Sequence, residues 1–445
     1  MNPLHKPANG RTGLSFILPV ILENYFTIGV TLVYSSITGR ISVTALTAMT
    51  TGNILMTLMT LGMTCVTTSS AAITARLYGE GDLPGASNVA EQAAGACCLI
   101  TCALTLLCLI FKSPIISVLA PGADNELLRD LSGYYSVILL SLPCFVLFTQ
   151  MNGILRACGD SSAALKSAIA MNALQLIFGW LFIVKLDTGM TGAALASLLS
   201  RAAGCAASCL LLFKGHRSLP VRFKSCFRID LATWKRILRL GIPCGLESVC
   251  VQGGYLLANS IIVSLGSDVS AVYNVLNTVQ TFPARVMDIT VALAVTLVGI
   301  PLGAGDRRTA KAAGYRLLAC SMAAELLIFA VVWFIRGTFC GFFTNDADVL
   351  ASSLTHLPLI LFYLVLGLSI NVADPCLRTG GDARFVLINS AVAVWAVRIP
   401  LTLLFCTKMG MGIKGALYAN YISLALRAVA GQIRYARGKW LTKSV

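Results

Sequence analysis

A long-period repeat constrains this chain more than any other feature. The segment Leu155-Arg156-Ala157-Cys158-Gly159-Asp160 returns after 222 residues as Leu377-Arg378-Thr379-Gly380-Gly381-Asp382. Two further segments return after 224 residues: Gly79-Glu80-Gly81-Asp82 as Gly303-Ala304-Gly305-Asp306, and Pro19-Val20-Ile21-Leu22-Glu23 as Pro243-Cys244-Gly245-Leu246-Glu247. Because a fixed long period marks a duplicated structural unit, we predict two homologous halves of about 220 residues each.

The composition predicts that both halves lie in a membrane. Hydrophobic residues make up 57% of the chain and charged residues 12%, whereas soluble domains carry about 25% charged residues. Apolar runs of about 20 residues or more, enough to cross a hydrocarbon core about 30 Å thick, recur along nearly the whole sequence. The predicted spans cover residues 14–38, 45–74, 89–111, 131–155, 163–186, 190–213, 234–265, 271–302, 312–335, 349–377, 384–406 and 413–433.

These spans predict an all-α polytopic membrane protein with twelve transmembrane helices in two six-helix lobes. Since six is even, both halves cross the membrane in the same orientation. A pseudo-two-fold axis along the membrane normal is therefore expected to relate them. The one sizeable polar stretch, 214–239, lies between the halves. We accordingly predict an N-terminal lobe over 1–213, a linker over 214–233 and a C-terminal lobe over 234–445.

The distribution of basic residues predicts the orientation in the membrane. Both termini share the side of the linker, because the number of spans is even. The loops on the opposite side carry only seven lysines and arginines: Arg40, Lys112, Arg129, Lys185, Arg336, Lys408 and Lys414. By the positive-inside rule, we predict that the linker and both termini are cytoplasmic. We also predict that the protein lies in the plasma membrane.

This topology can be tested by labelling. Tags at Ser218 and at the C-terminus are expected to report the cytoplasm, because both lie on the side rich in basic residues. A tag at Ala123 is expected to report the outer side. The measurement is accessibility to an impermeant reagent in intact cells, and an external signal at Ser218 would overturn the arrangement.

Several function classes are disfavoured by the sequence. The basic residues behind the net charge of +15 are concentrated on the predicted cytoplasmic side and are explained by the membrane orientation. We therefore predict no nucleic-acid partner. The sixteen cysteines lie mostly inside spans, where cysteine packs as a small apolar residue, and His5, His216 and His356 are scattered, so we predict no metal and no cofactor. No P-loop, hydrolase elbow or His-Glu-x-x-His motif occurs, so we predict a protein that is not an enzyme and draws any uphill work from an ion gradient or a partner.

The sequence resembles the multidrug and toxic compound extrusion (MATE) transporters over essentially its whole length. The matching segments are Gly79–Asp82, Leu155–Asp160, Gly241-Ile242-Pro243, Leu302–Asp306, Phe343-Thr344-Asn345-Asp346 and Leu377–Phe385, in order and at the family's spacing. The resemblance implies two lobes around a central cavity. It also implies export of organic cations or other amphipathic compounds, in exchange for protons or sodium, by alternating access.

Ionisable residues at membrane depth are candidate functional residues, because they are costly unless they line water or find a partner. Glu23 and Glu247 occupy equivalent positions, one helical turn after the repeated prolines. Each is either a carboxylate that faces the cavity and binds a proton or a cationic drug, or the partner of a neighbouring arginine. A glutamate buried in an apolar cavity can hold a proton that an arriving cation displaces.

Further candidates lie in the second half. Asp288 is structural if it pairs with Arg285 three residues earlier, and otherwise it faces the cavity. Glu325 and Arg398 either pair with each other or mark a site in the C-terminal lobe. Two other arginines, Arg201 and Arg427, are expected to extend their side chains to the membrane interface.

The family's cation site in the N-terminal lobe is expected to be lost. Its positions fall on Tyr34, Gln175, Gly179 and Ser197, which include no carboxylate, whereas a hard cation needs several oxygen ligands with at least one carboxylate. The usual acidic positions on spans 7 and 10 fall on Val251 and about Gly367. Coupling is therefore expected to move to Glu247, Asp288 or Glu23. Three aromatic residues are candidates for stacking on a planar cation: Tyr34, Trp180 and Tyr255.

The sequence thus predicts a monomeric multidrug antiporter in the lipid bilayer, which binds a small-molecule substrate and a coupling proton or sodium ion. Two alternatives stay open. One is a flippase for lipid-linked oligosaccharides or cell-wall precursors, which the arginines Arg201, Arg285, Arg398 and Arg427 favour. The other is a membrane receptor or assembly factor that does not transport, which the missing N-terminal site favours.

Overall fold

The computed structural model describes residues 10–38, 43–119, 125–215, 230–341 and 346–442, together with 219, 221, 225 and 226. His5, Ala123, His216, Ser218 and the segment Phe343-Thr344-Asn345 lie outside the described residues, as does much of the predicted linker. Contacts between residues divide the chain into two compact units, Met1–Gly241 and Ile242–Val445. The described residues contain no β-strand.

Within the described part of the chain, eleven helices are long and apolar enough to cross a membrane. They cover Ile17–Thr38, Met56–Glu80, Leu83–Ile110, Leu131–Ala157, Ser161–Lys185, Gly189–Phe213, Leu231–Val263, Val269–Gly303, Arg307–Phe334, Ala347–Thr379 and Ala383–Lys408. The twelfth predicted span, 413–433, forms the helix Gly412–Ala436, which is more polar. The structure confirms the predicted all-α polytopic fold.

The described part of the first unit contains eight α-helices and the start of a ninth. They are α1 (Gly10–Thr38), α2 (Val43–Glu80), α3 (Leu83–Ile110), α4 (Lys112–Leu119), α5 (Asn125–Leu140), α6 (Leu142–Ala157), α7 (Ser161–Gly179), which continues as a π-helix over Trp180–Lys185, and α8 (Gly189–Gly215). Helix α6 packs against α2, α3 and α8, and α7 packs against α1 and α8.

The second unit repeats this design. Its helices are α9 (Leu231–Val263), which begins in the first unit, α10 (Ser267–Gly303), α11 (Arg307–Phe334), α12 (Arg336–Gly341), α13 (Ala347–His356), α14 (Ile360–Thr379), α15 (Ala383–Ala391), α16 (Ile399–Leu403) and α17 (Gly412–Ala436). Its apolar core includes Val279, Leu364, Leu368 and Leu424 from α10, α14 and α17. Two π-helical stretches, Val392–Arg398 and Leu404–Lys408, flank α16, and such stretches often occur at functional sites.

The repeated Gly-x-Gly-Asp segments are turns that cap helices. Gly81 and Gly305 have φ angles of +82° and +81°, a backbone conformation that glycine adopts without strain. Asp82 then accepts a hydrogen bond from the amide of Gly85, and Asp306 accepts one from the amide of Thr309, both at 2.9 Å. Hydrogen bonds from Thr309 hold the pKa of the exposed Asp306 carboxyl below its usual range.

The described residues between the predicted lobes pack on α3. The carbonyl oxygen of Cys226 lies where a side chain at Gly95 would begin, 1.8 Å from the ideal Cβ position, so only glycine permits this contact. Asn88 donates to the carboxylate of Asp230 at 2.8 Å, and Trp234 donates to the side chain of Gln92 at 2.9 Å. These contacts hold the start of α9 against α3 within the first unit.

Candidate functional site

Each repeated glutamate pairs with the arginine of the repeated Leu-Arg segment. Arg156 contacts Glu23 in the first unit, and Arg378 contacts Glu247 in the second. Both ends of each ion pair belong to repeated segments, so the ion pair itself is duplicated. Of the two interpretations that the sequence left open, pairing with an arginine is the one that the structure shows for Glu23 and for Glu247.

Glu247 has further partners beside the arginine of its repeated segment. Arg427 of α17 donates to Oε1 of Glu247 at 2.8 Å and to Oδ2 of Asp374 at 2.6 Å. The hydroxyl of Ser390, on α15, donates to Oε1 of Glu247 at 3.1 Å. We call Glu247, Asp374, Arg378 and Arg427 the charge cluster. It joins α9, α14 and α17, and Arg427 bridges both carboxylates.

The charge cluster is buried and its formal charges cancel. The side chains of Glu247 and Asp374 are 4% and 3% exposed, and those of Arg378 and Arg427 are 18% and 12% exposed. Removing one member of a buried ion pair typically costs about 3–5 kcal/mol, because it leaves an uncompensated charge. One carboxylate oxygen of the cluster, Oδ1 of Asp374, is wholly buried and finds no hydrogen-bond partner among the described residues.

The first unit has no counterpart to Asp374 or Arg427. The positions 222 to 224 residues before Asp374 are Gln150, Met151 and Asn152, and those before Arg427 are Ala203, Gly204 and Cys205. Asn152 instead accepts a hydrogen bond from Ser167 at 2.7 Å. Among the described residues, the duplicated scaffold therefore carries this cluster of two acids and two bases in the second unit and not at the equivalent positions of the first.

Sequence reasoning missed part of this site. Asp374 was not among the predicted residues, although it precedes Arg378 by four residues and so shares its helix face. The prediction that Arg427 extends to the membrane interface is wrong, because its guanidinium is buried between two carboxylates that attract it. Arg201 also turns inward: it donates to the hydroxyl of Ser141 at 2.7 Å and lies over the ring of Phe145.

Asp288 forms the ion pair that the sequence offered as its structural role. Its Oδ2 lies 3.2 Å from Nη1 of Arg285, and the two side chains are 59% and 42% exposed. Exposed pairs of this kind contribute about 0–1 kcal/mol. No ion pair among the described residues links Asp288 to the charge cluster.

Three of the four positions of the family's N-terminal cation site come together around Tyr34. Its hydroxyl donates to the carbonyl of Ala193 at 2.7 Å and lies 3.4 Å from the hydroxyl of Ser197. Its ring lies 2.7 Å from where a side chain at Gly179 would begin. The phenol of Tyr34 thus fills the space between Gly179 and Ser197. Trp180 is 48% exposed, and Lys185 lies 5.4 Å from its ring, so it does not join Tyr34.

Glu325 and Arg398 do not pair with each other in the part of the chain that the structure describes, which corrects one of the two interpretations. Both are buried, at 0% and 3% exposure. The guanidinium of Arg398 stacks instead on the ring of Tyr255, 4.0 Å from its centre. The described residues contain no group of three or more His, Cys, Asp or Glu side chains arranged to hold a metal ion.

Duplicated helical units with buried charges at membrane depth are the architecture of secondary transporters. The family model MatE matches residues 19–181 and 243–404, once in each half. The chain therefore belongs to the MatE family of membrane transporters, as the sequence predicted. A probable multidrug resistance protein NorM of Thermotoga maritima is 22% identical over 343 residues, which cover 75% of this chain and 72% of that protein.

Solved structures share the fold. One of a MATE protein in the bent conformation is 20% identical, covers 97% of this chain and 96% of that chain, and has a TM-score of 0.84. A transporter of the MOP superfamily from Pyrococcus furiosus, described as having a binding pocket of reverse polarity, is also 20% identical, covers 96% of each chain and has a TM-score of 0.85. These likenesses support the predicted twelve-helix, two-lobe fold.

Proposed function

We propose that this protein is a secondary active multidrug efflux antiporter. It exports organic cations or amphipathic compounds in exchange for protons, by alternating access. The observation that carries the proposal is the charge cluster, where a buried acid with an unpartnered oxygen lies beside two arginines. The similarity to the Thermotoga maritima protein described as a probable multidrug resistance protein supports this substrate class.

The charge cluster provides a means of coupling. A proton bound at Oδ1 of Asp374 would neutralise that carboxylate and weaken its attraction for Arg427. Arg427 also binds Glu247. A weaker attraction between Asp374 and Arg427 would therefore change the electrostatic interactions that join α9, α14 and α17. A cationic substrate would act in the opposite sense, because its charge favours the ionised form of a nearby acid.

The arginines favour a proton over a sodium ion. A hard cation needs several converging oxygen ligands, and in the charge cluster the guanidinium groups of Arg378 and Arg427 already occupy three of the four carboxylate oxygens. Their positive charges would repel a metal ion. A proton needs only one oxygen, and Oδ1 of Asp374 offers one.

A drug-susceptibility panel tests the proposal. Cells that overproduce the protein are expected to tolerate several structurally unrelated organic cations at concentrations at least four-fold higher than control cells. Cells that carry Asp374→Asn should lose this tolerance, whereas Asp348→Asn, at an exposed helix start, should keep it. Cell-wall defects on deletion without any change in drug tolerance would favour a precursor flippase, and no phenotype of either kind would favour a protein that does not transport.

A further inference from the structure

Glu325 lies in an unusual setting for an acid. It is fully buried in α11, and both carboxylate oxygens lack a hydrogen-bond partner among the described residues. The nearby polar residue on its own helix, Ser321, lies 2.8 Å from the hydroxyl of Thr290. A carboxylate without partners in an apolar interior carries a large desolvation penalty, and a neutral carboxylic acid carries much less.

Arg398 is the cation of this region. An arginine side chain stays charged in proteins, and the charge of Arg398 is compensated in part by the face of Tyr255. Of its three nitrogens, only Nη1 is wholly buried without a partner among the described residues. The charge of Arg398 is thus better stabilised by its surroundings than a negative charge on Glu325 would be.

Tyr363 of α14 belongs to the same region of the second unit. Its phenol interacts electrostatically with Tyr255, Arg398, Glu325 and Tyr273. These groups come from α9, α10, α11 and the π-helical stretch that ends at Arg398. Among the described side chains of α10 and α14, Asp288 pairs with Arg285, Asp374 with Arg427, and Arg378 with Glu247.

We propose that Glu325 is a proton-binding site of the second unit, separate from the charge cluster, and that Arg398 becomes its counter-charge when the proton leaves. In the present arrangement the acid is neutral and Arg398 rests on Tyr255. Loss of the proton to water would create a carboxylate, whose proposed counter-charge, Arg398, lies over the ring of Tyr255 in the present arrangement. The ligand of this site is a proton, because neither oxygen of Glu325 is accessible to anything larger.

Infrared spectroscopy of the purified full-length protein tests this proposal without any transport assay. A protonated carboxylic acid has a carbonyl band that an ionised carboxylate lacks. We expect the wild type to show this band at neutral pH, Glu325→Gln to lose it, and Glu247→Gln to keep it. A band that is absent from the wild type, or that persists in Glu325→Gln, would overturn the assignment.

A second variant tests the role of Arg398 and does not alter the acid. In Arg398→Gln the counter-charge is missing, so the band should persist to a pH at least one unit higher than in the wild type. An unchanged titration would show that Arg398 does not act on Glu325. The readout is the protonation of one residue and not transport. Failure of the antiport proposal would therefore leave the Glu325 proposal intact, and failure of the Glu325 proposal would leave the antiport proposal intact.

Discussion

Glu247→Gln is expected to abolish substrate export and to lower the thermal unfolding midpoint. Glutamine keeps the shape of the side chain but removes the charge that faces Arg378 and Arg427. Asp374 is then left to balance both guanidinium groups. By analogy with other buried pairs, the expected loss of stability is about 3–5 kcal/mol. The measurements are efflux from membrane vesicles and thermal unfolding of the purified protein.

Glu23→Gln is the matched control for this variant. It removes the repeat-equivalent carboxylate, which contacts one of the described arginines where Glu247 contacts two. We expect a smaller drop in the unfolding midpoint and measurable residual export. Full export by Glu247→Gln would show that its carboxylate is structural. Equal losses in the two variants would show that the additional acid and base of the second unit have no special role.

The fold could be predicted from the sequence because its causes are local. Apolar runs of span length predict helices in a membrane, and the repeated segments predict the duplication. The turn at Gly81 and Asp82 could also be predicted, since glycine and aspartate act there through their own backbone and their nearest amides. The last repeated aspartate differs: Asp382 makes no side-chain capping bond and instead contacts Arg434 at 2.7 Å.

The candidate site was only partly predictable because its contacts join distant segments. Glu247 stood out by its sign and its repeat position. Its partner Arg427 is 180 residues away, and no spacing rule predicts which arginine turns inward and which extends to the interface. Glu325 and Arg398 were both identified as buried charges. No spacing rule predicts that Arg398 lies over the ring of Tyr255, as it does in the part of the chain that the structure describes.

Transport by purified protein in proteoliposomes, under an imposed pH gradient or an imposed sodium gradient alone, tests the central claim most directly. We expect a pH gradient with an acidic interior to drive accumulation of a fluorescent organic cation, and a sodium gradient to drive none. Asp374→Asn should abolish the response to the pH gradient, because it removes the proposed proton acceptor. Accumulation driven by sodium with the pH gradient collapsed would contradict the account and would require a set of oxygen ligands outside the charge cluster.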